Sequence, residues 1–403
     1  MKKVYIVSAC RTPVGSFLGA LKSVSAVELA TLTVKKNLEK ATMQPEWVDE
    51  VICGTVLSAG QGMGPARQVA LKAGIPAEKI AYTLNMICGS GMKSISEGMN
   101  HILCGYSDIV IAVGMENMSQ APYLLKNDIR FGIKYGNFQA EDTIQTDGLV
   151  DSIYHIPMGN TAESIAELYN ISRAEQDEYA FNSHSKALAA TKAGSFASEI
   201  IPVPVKTRWG THFVTDDEHI RHDISLPRLE KLKPAFKPGG TVTPGNSSGI
   251  NDGASSVIIA SEDAVNKYNL KPVAEILSYG EGGIDPKVMG LGPVSAIQNA
   301  LCRSNCSLNN IELFEINEAF AAQIIGVVKT LSLEHNVPEI EIFNKLNING
   351  GAIALGHPLG CSGNRIVVSL IHSMHRENKE TGLASLCIGG GMGIALILKK
   401  SER

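Results

Sequence analysis

Two cysteines, a histidine and an asparagine in this chain each stand among glycines, where a side chain can be reached by a ligand. Cys88 opens Cys88-Gly-Ser-Gly-Met, and the apolar residues Met92, Ile95, Met99, Ile102 and Leu103 that follow have helical spacing. A thiol at a helix N-terminus meets free N–H groups and the positive end of the dipole, which favour the thiolate nucleophile. The other reading is a buried cysteine serving as a small hydrophobe. Cys387 ends a strand-like run, Ser385-Leu-Cys-Ile, and leads into Gly389-Gly-Gly-Met-Gly. Those glycines either turn backbone N–H groups toward a ligand oxygen, as in an oxyanion hole, or make a tight hairpin that needs positive φ.

His357 sits in Asn349-Gly-Gly-Ala-Ile-Ala-Leu-Gly-His-Pro-Leu-Gly. Glycine before it and proline after it favour acid/base work over a merely structural imidazole. Asn317 follows the apolar run Ile311–Ile316, as an N-cap or as an anchor for a water or an oxyanion. A thiol, an imidazole and an amide together suggest a cysteine nucleophile with a base and an orienting group. A second thiol suits a reaction with two proton transfers and an acyl-thioester intermediate, whereas a Cys-His-Asn hydrolase has no use for one.

The elements that must hold these groups form an α/β pattern. Val4–Ser8, Glu50–Cys53 and Asp108–Val113 read as buried strands, and the segment between the last two reads as the helix after Cys88, stopped at Gly105. The second half repeats the grammar: strands at Val273–Ser278 and Ile311–Glu315, a helix at Gly363–His372, and a hairpin from Ala384–Ile388 to Gly393–Leu398. Val48-Asp-Glu-Val-Ile and Ile311-Glu-Leu-Phe-Glu-Ile lie 263 residues apart, and Cys88-Gly-Ser-Gly and Cys361-Ser-Gly 273, which points to a weakly preserved duplication. The middle is polar and proline-broken, with one firm helix start in the Ser172–Glu175 capping box. It reads as an insertion that carries binding surface.

Composition narrows the function. The 403 residues include 44% hydrophobic and 19% charged, against ~25% charged on average, so the chain is compact and heavily buried. A net charge of −4 without long single-sign runs argues against nucleic acid or an anionic membrane as partner. No stretch approaches the ~20 apolar residues of a membrane span. The 8 cysteines lack a CxxC pair or metal-like cluster, and Val4–Val7 is too short for a signal peptide. A reducing cytoplasm, with no bound metal, is the expectation.

The motifs carry more than the composition. Val7-Ser-Ala-Cys-Arg-Thr-Pro, Asn85-Met-Ile-Cys88-Gly-Ser-Gly, Asn317-Glu-Ala-Phe-Ala, the block around His357 and Cys387-Ile-Gly-Gly-Gly-Met-Gly resemble the signature blocks of the thiolases, in family order from residue 4 to about 398. The resemblance implies a duplicated αβαβα five-layer fold with an inserted loop domain. It divides the chain into a first half at 1–119 plus 250–271, a loop domain at 120–249 for coenzyme A binding and tetramer formation, and a second half at 272–403. It implies that Cys88 becomes acylated, that His357 activates it, that Cys387 moves the α-proton and that Asn317 holds a water facing the thioester oxygen. Backbone N–H groups of Cys88 and Gly389 would form a second oxyanion hole. For coenzyme A and the acyl group it implies Arg221, Ser248, Met158, Met289, Phe320 and Ala319.

The implied reaction joins two acetyl-CoA into acetoacetyl-CoA and CoA, with coenzyme A as substrate and product, no separate cofactor, and a homodimer or dimer of dimers. A degradative 3-ketoacyl-CoA thiolase and a non-catalytic acyl-CoA-binding protein of the same fold are the alternatives. Two departures stand out. Pro157 replaces a histidine usual in short-chain members, with His155 two positions early, and Cys361 replaces a usual alanine.

Overall fold

A computed structural model describes residues 2–126 and 128–401. Its centre is a ten-stranded mixed sheet that divides into two halves of matching order. In the first half, Val4–Arg11 pairs antiparallel with Asn251–Ser261, which pairs antiparallel with Ile109–Asn117, which runs parallel to Glu50–Gly54. In the second, Ala274–Gly283 pairs antiparallel with Met392–Lys400, then Thr381–Ile388 antiparallel, then Leu313–Ile316 parallel. The halves meet at a short seam, Tyr5 opposite Glu275 and Ile6 opposite Ala274. The duplication is therefore real, and it is preserved in strand order far better than in residue identity.

Both faces of the sheet are covered, as strands without polar alternation require. The helices Ala26–Lys40 and Pro65–Lys72 pack on the outer face of the first half. Gly292–Ser304 and Ala321–His335 pack on the outer face of the second. Between the halves lie two central helices, Ser90–Leu103 and Leu359–Arg376, whose apolar faces share one core with both. Helix, sheet, helix, sheet, helix gives the five layers.

The second central helix starts at Leu359, four residues before the Gly363 start expected from sequence. Leu359-Gly-Cys-Ser-Gly reads as a turn, but close packing explains the glycines. A Cβ on Gly363 would lie 2.6 Å from the Met92 nitrogen of the other central helix, and one on Gly360 would lie 2.6 Å from the Thr55 Cα. The helices cross at van der Waals contact of their backbones, and this sets the distance between the loops at their N-terminal ends.

The middle segment adds the helices Met158–Leu168 and Arg173–Lys192, the latter with the expected capping box at Ser172 and Glu175. It also carries two hairpins, Tyr123–Leu125 with Ala140–Asp142 and Val203–Thr207 with Gly210–Val214. Among the described residues, no helix is long and apolar enough to cross a membrane.

Candidate active site

Cys88 lies in a tight turn between the edge strand Ile80–Leu84 and the first central helix. Ile87 takes a φ of 48°, and Ser90 holds the turn by accepting from the Met86 N–H at 2.8 Å and donating to the Ile87 carbonyl at 2.7 Å. Gly89 is needed for space: a Cβ there would lie 2.5 Å from Ile388 Cδ1, at the end of the strand that carries Cys387. The two cysteine segments, far apart in sequence, are thus pressed together.

The Cys88 sulfur faces the backbone N–H of Gly389 and its own, yet burial outweighs both and pushes the thiol up to about 11. The expected lowering by the helix N-terminus does not prevail, because desolvation of the thiolate is the larger effect. At neutral pH Cys88 is held as a thiol. Alkylation by iodoacetamide is accordingly expected to accelerate about tenfold per pH unit from neutrality upward, levelling only near the alkaline end. Inactivation rates measured against pH check this, and a plateau near pH 7 contradicts it.

A candidate base, His357, lines the same cavity as Cys88. His357 is buried, and its backbone N–H donates to Asn251 Oδ1 at 2.9 Å. Its Nδ1 lies 2.5 Å from Ser362 Oγ, whose own proton goes to the Pro358 carbonyl at 2.9 Å. The serine oxygen therefore accepts from Nδ1–H, and this tautomer leaves the Nε2 lone pair free. Burial, with a smaller effect of Arg365, lowers the imidazole to about 3, so it is neutral across the working range.

Cys387 is buried opposite Gly393, its thiol pushed up first by burial and then by the charge of Cys88. Both readings of the glycines after it hold, at different positions. Gly390 and Gly391 take φ of 81° and 86° and make the hairpin, while Gly389 is the residue whose N–H faces Cys88. Asn317 is no N-cap, since the next helix begins at Ala321 with Phe320 as its cap. Its backbone N–H donates to the Ser385 carbonyl at 2.9 Å, and both its amide atoms are buried without a protein partner. Such a group is satisfied by a bound water or ligand.

Cys88, His357 and Cys387 line one cavity of ≈ 380 Å³. Arg221, Ser248, Met158, Met289, Ala319 and Phe320 line it too, whereas Asn317 and Gly389 are not among the lining residues. Ser248 is fixed by its N–H to the Ala319 carbonyl at 3.0 Å, and Arg221 Nη2 reaches the Pro244 carbonyl at 3.3 Å near the mouth. Phe320 meets Phe236 edge to face. A wider groove of ≈ 670 Å³ beside Lys186 and Lys329 contains none of these residues.

Pro157 lines the cavity and caps the helix Met158–Leu168, while His155 is exposed and lies outside the lining. Sequence reading passed over His219, a half-buried imidazole in the cavity wall lowered to about 4 by burial and by Arg221. It stands two residues before Arg221, and that proximity was the available signal. Cys361 lies in the core with its thiol pushed up to about 12 by burial, 3.4 Å from Ser255 Oγ. It is a packing residue.

Known proteins share the sequence and fold of this chain. The family model for the thiolase N-terminal domain matches residues 4–263, and that for the thiolase C-terminal domain matches residues 270–400. A probable acetyl-CoA acyltransferase of Staphylococcus epidermidis is 47% identical over 403 residues, covering 100% of both chains. The crystal structure of the Bacillus anthracis acetyl-CoA acetyltransferase superposes with a TM-score of 0.95 at 43% identity, covering 100% of this chain and 99% of that one. Human mitochondrial 3-ketoacyl-CoA thiolase in complex with CoA superposes at 0.94 and 44% identity, covering 100% of this chain and 98% of that one. With two thiols and a neutral imidazole gathered at one cavity in a fold these proteins share from end to end, the chain belongs to the thiolase family and is an acyltransferase.

Proposed function

We propose that the protein is an acetyl-CoA C-acetyltransferase, which condenses two acetyl-CoA reversibly to acetoacetyl-CoA and CoA. The observation that carries this is the meeting of Cys88, His357 and Cys387 in a cavity walled by Met158 and Met289. His357 Nε2 takes the Cys88 proton, and the sulfur attacks the thioester carbonyl. Coenzyme A leaves with the Cys387 proton, giving acetyl-Cys88 and a Cys387 thiolate. That thiolate removes the α-proton of a second acetyl-CoA, whose carbanion attacks acetyl-Cys88. The expelled Cys88 sulfur regains its proton from His357, and the cycle balances.

The N–H groups of Cys88 and Gly389 point at the sulfur end of the site and are suited to the oxyanion formed on acetyl-Cys88. A water on the Asn317 amide, together with His357, serves the second thioester oxygen. The apolar walls keep bulk water from acetyl-Cys88, so transfer to carbon competes well with hydrolysis. Arg221 and Ser248 hold the coenzyme A arm.

A broader 3-ketoacyl-CoA thiolase is the competing reading, favoured by Pro157 in the wall and by the likeness to the human enzyme. CoA-dependent thiolysis of acetoacetyl-CoA, measured beside a medium-chain 3-ketoacyl-CoA, decides between them. Preference for the four-carbon substrate by ~10-fold or more is expected, since misfit of even one methylene in an apolar pocket is worth about that. Equal rates assign the degradative activity.

A further inference from the structure

Glu318 follows Asn317 directly and is 1% exposed. Its carboxylate accepts four hydrogen bonds. Oε1 takes the Tyr179 hydroxyl at 2.9 Å and Asn347 Nδ2 at 2.9 Å. Oε2 takes the Ser183 hydroxyl at 2.7 Å and the Ile353 N–H at 3.2 Å. Tyr179 and Ser183 are one turn apart on the inserted helix Arg173–Lys192. Asn347 and Ile353 flank the glycines that lead to His357. None of these five residues lines the substrate cavity.

The contacts close a frame around Asn317. Asn347 holds the residue before it, accepting from the Ile316 N–H at 2.9 Å and donating to the Ile316 carbonyl at 2.8 Å. Glu318 holds the residue after it. The Gly351 N–H donates to Ser183 Oγ at 3.1 Å, and a Cβ on Gly351 would lie 2.3 Å from the Glu318 carboxyl carbon. A buried carboxylate is retained only where donors offset its desolvation, and here they come from three segments that share no other strand or helix.

We propose that Glu318 is a positioning residue for acyl transfer, a brace that fixes the Asn317 amide relative to the His357 block and makes that spacing depend on the inserted helix. This rests on the reaction proposed above. Only a carboxylate fits the frame. A glutamine amide would turn two of its own protons toward two donors, whichever way it sat. The Tyr179 and Ser183 hydroxyls can rotate, but the Asn347 amide is pinned by Ile316 and the Ile353 N–H is backbone, so one donor-to-donor clash persists. A shift of the frame by a fraction of an ångström moves Asn317 without touching the groups that hold coenzyme A.

The test compares Glu318→Gln and Tyr179→Phe with the wild type in acetoacetyl-CoA thiolysis, with melting temperature recorded for each. Glu318→Gln is expected to lower kcat ~10²-fold with KM for both substrates within about threefold. Tyr179→Phe, which only removes one donor, is expected to lower kcat by about three- to tenfold, again with KM held. If Glu318→Gln does not fold, Tyr179→Phe decides alone. Unchanged kcat in the folded variants overturns the brace, as does a loss of rate that only follows the folded fraction. A folded wild type without thiolysis activity removes the reaction itself, and with it the brace, before any variant is compared.

Discussion

Cys88→Ala is expected to lower acetoacetyl-CoA thiolysis by at least ~10⁴-fold, with no acetyl group recovered on the chain after incubation with acetyl-CoA. The size follows from the cavity. The Cys88 sulfur is the group that faces the Gly389 N–H, so no other side chain can place an acyl oxygen in that hole. Among the described residues Cys387 is the only other thiol in the lining, and burial holds it protonated. Alanine is preferable to serine, because His357 with its free Nε2 could activate a hydroxyl in the same place. Steady-state rates and mass spectrometry of the peptide containing residue 88 measure the two effects. A variant that keeps more than about one part in a hundred of the activity removes Cys88 as the nucleophile.

The sequence made the reacting groups readable because each sits in a short turn whose glycines are local. Cys88, His357 and Cys387 stand out that way and line one cavity, and Met158, Met289 and Phe320, implied by the family resemblance, line it with them. What could not be read locally was the state of those groups. The Cys88 thiol is raised by burial, and a helix N-terminus seen alone suggests the opposite. The glycines of Leu359-Gly-Cys-Ser-Gly suggest a loop until the other central helix is laid across them. In the sequence Glu318 is only a neighbour of Asn317, since its partners come from the inserted helix and from the His357 block. Burial and cross-segment hydrogen bonding are long-range properties, and they decide protonation and position at this site.

Cys387→Ala is expected to separate the two half-reactions. Condensation and thiolysis should fall ~10³-fold, within the span of a lost general base, while acetylation of Cys88 by acetyl-CoA survives at a reduced rate. A coenzyme A thiolate can leave without being protonated, so the first half-reaction needs the Cys387 proton less than the second needs the Cys387 base. An α-proton on a thioester does not leave without one. Two measurements check this: rapid-quench labelling of Cys88 with acetyl-CoA, and exchange of the acetyl-CoA methyl protons with deuterated water, which should disappear. Retained exchange would move the base to one of the two imidazoles in the lining, His357 or His219. Loss of acetylation together with exchange would instead mean that the two thiols act as one unit from the first step. A rate deficit confined to carbon–carbon bond chemistry is what distinguishes a dedicated second thiol from both.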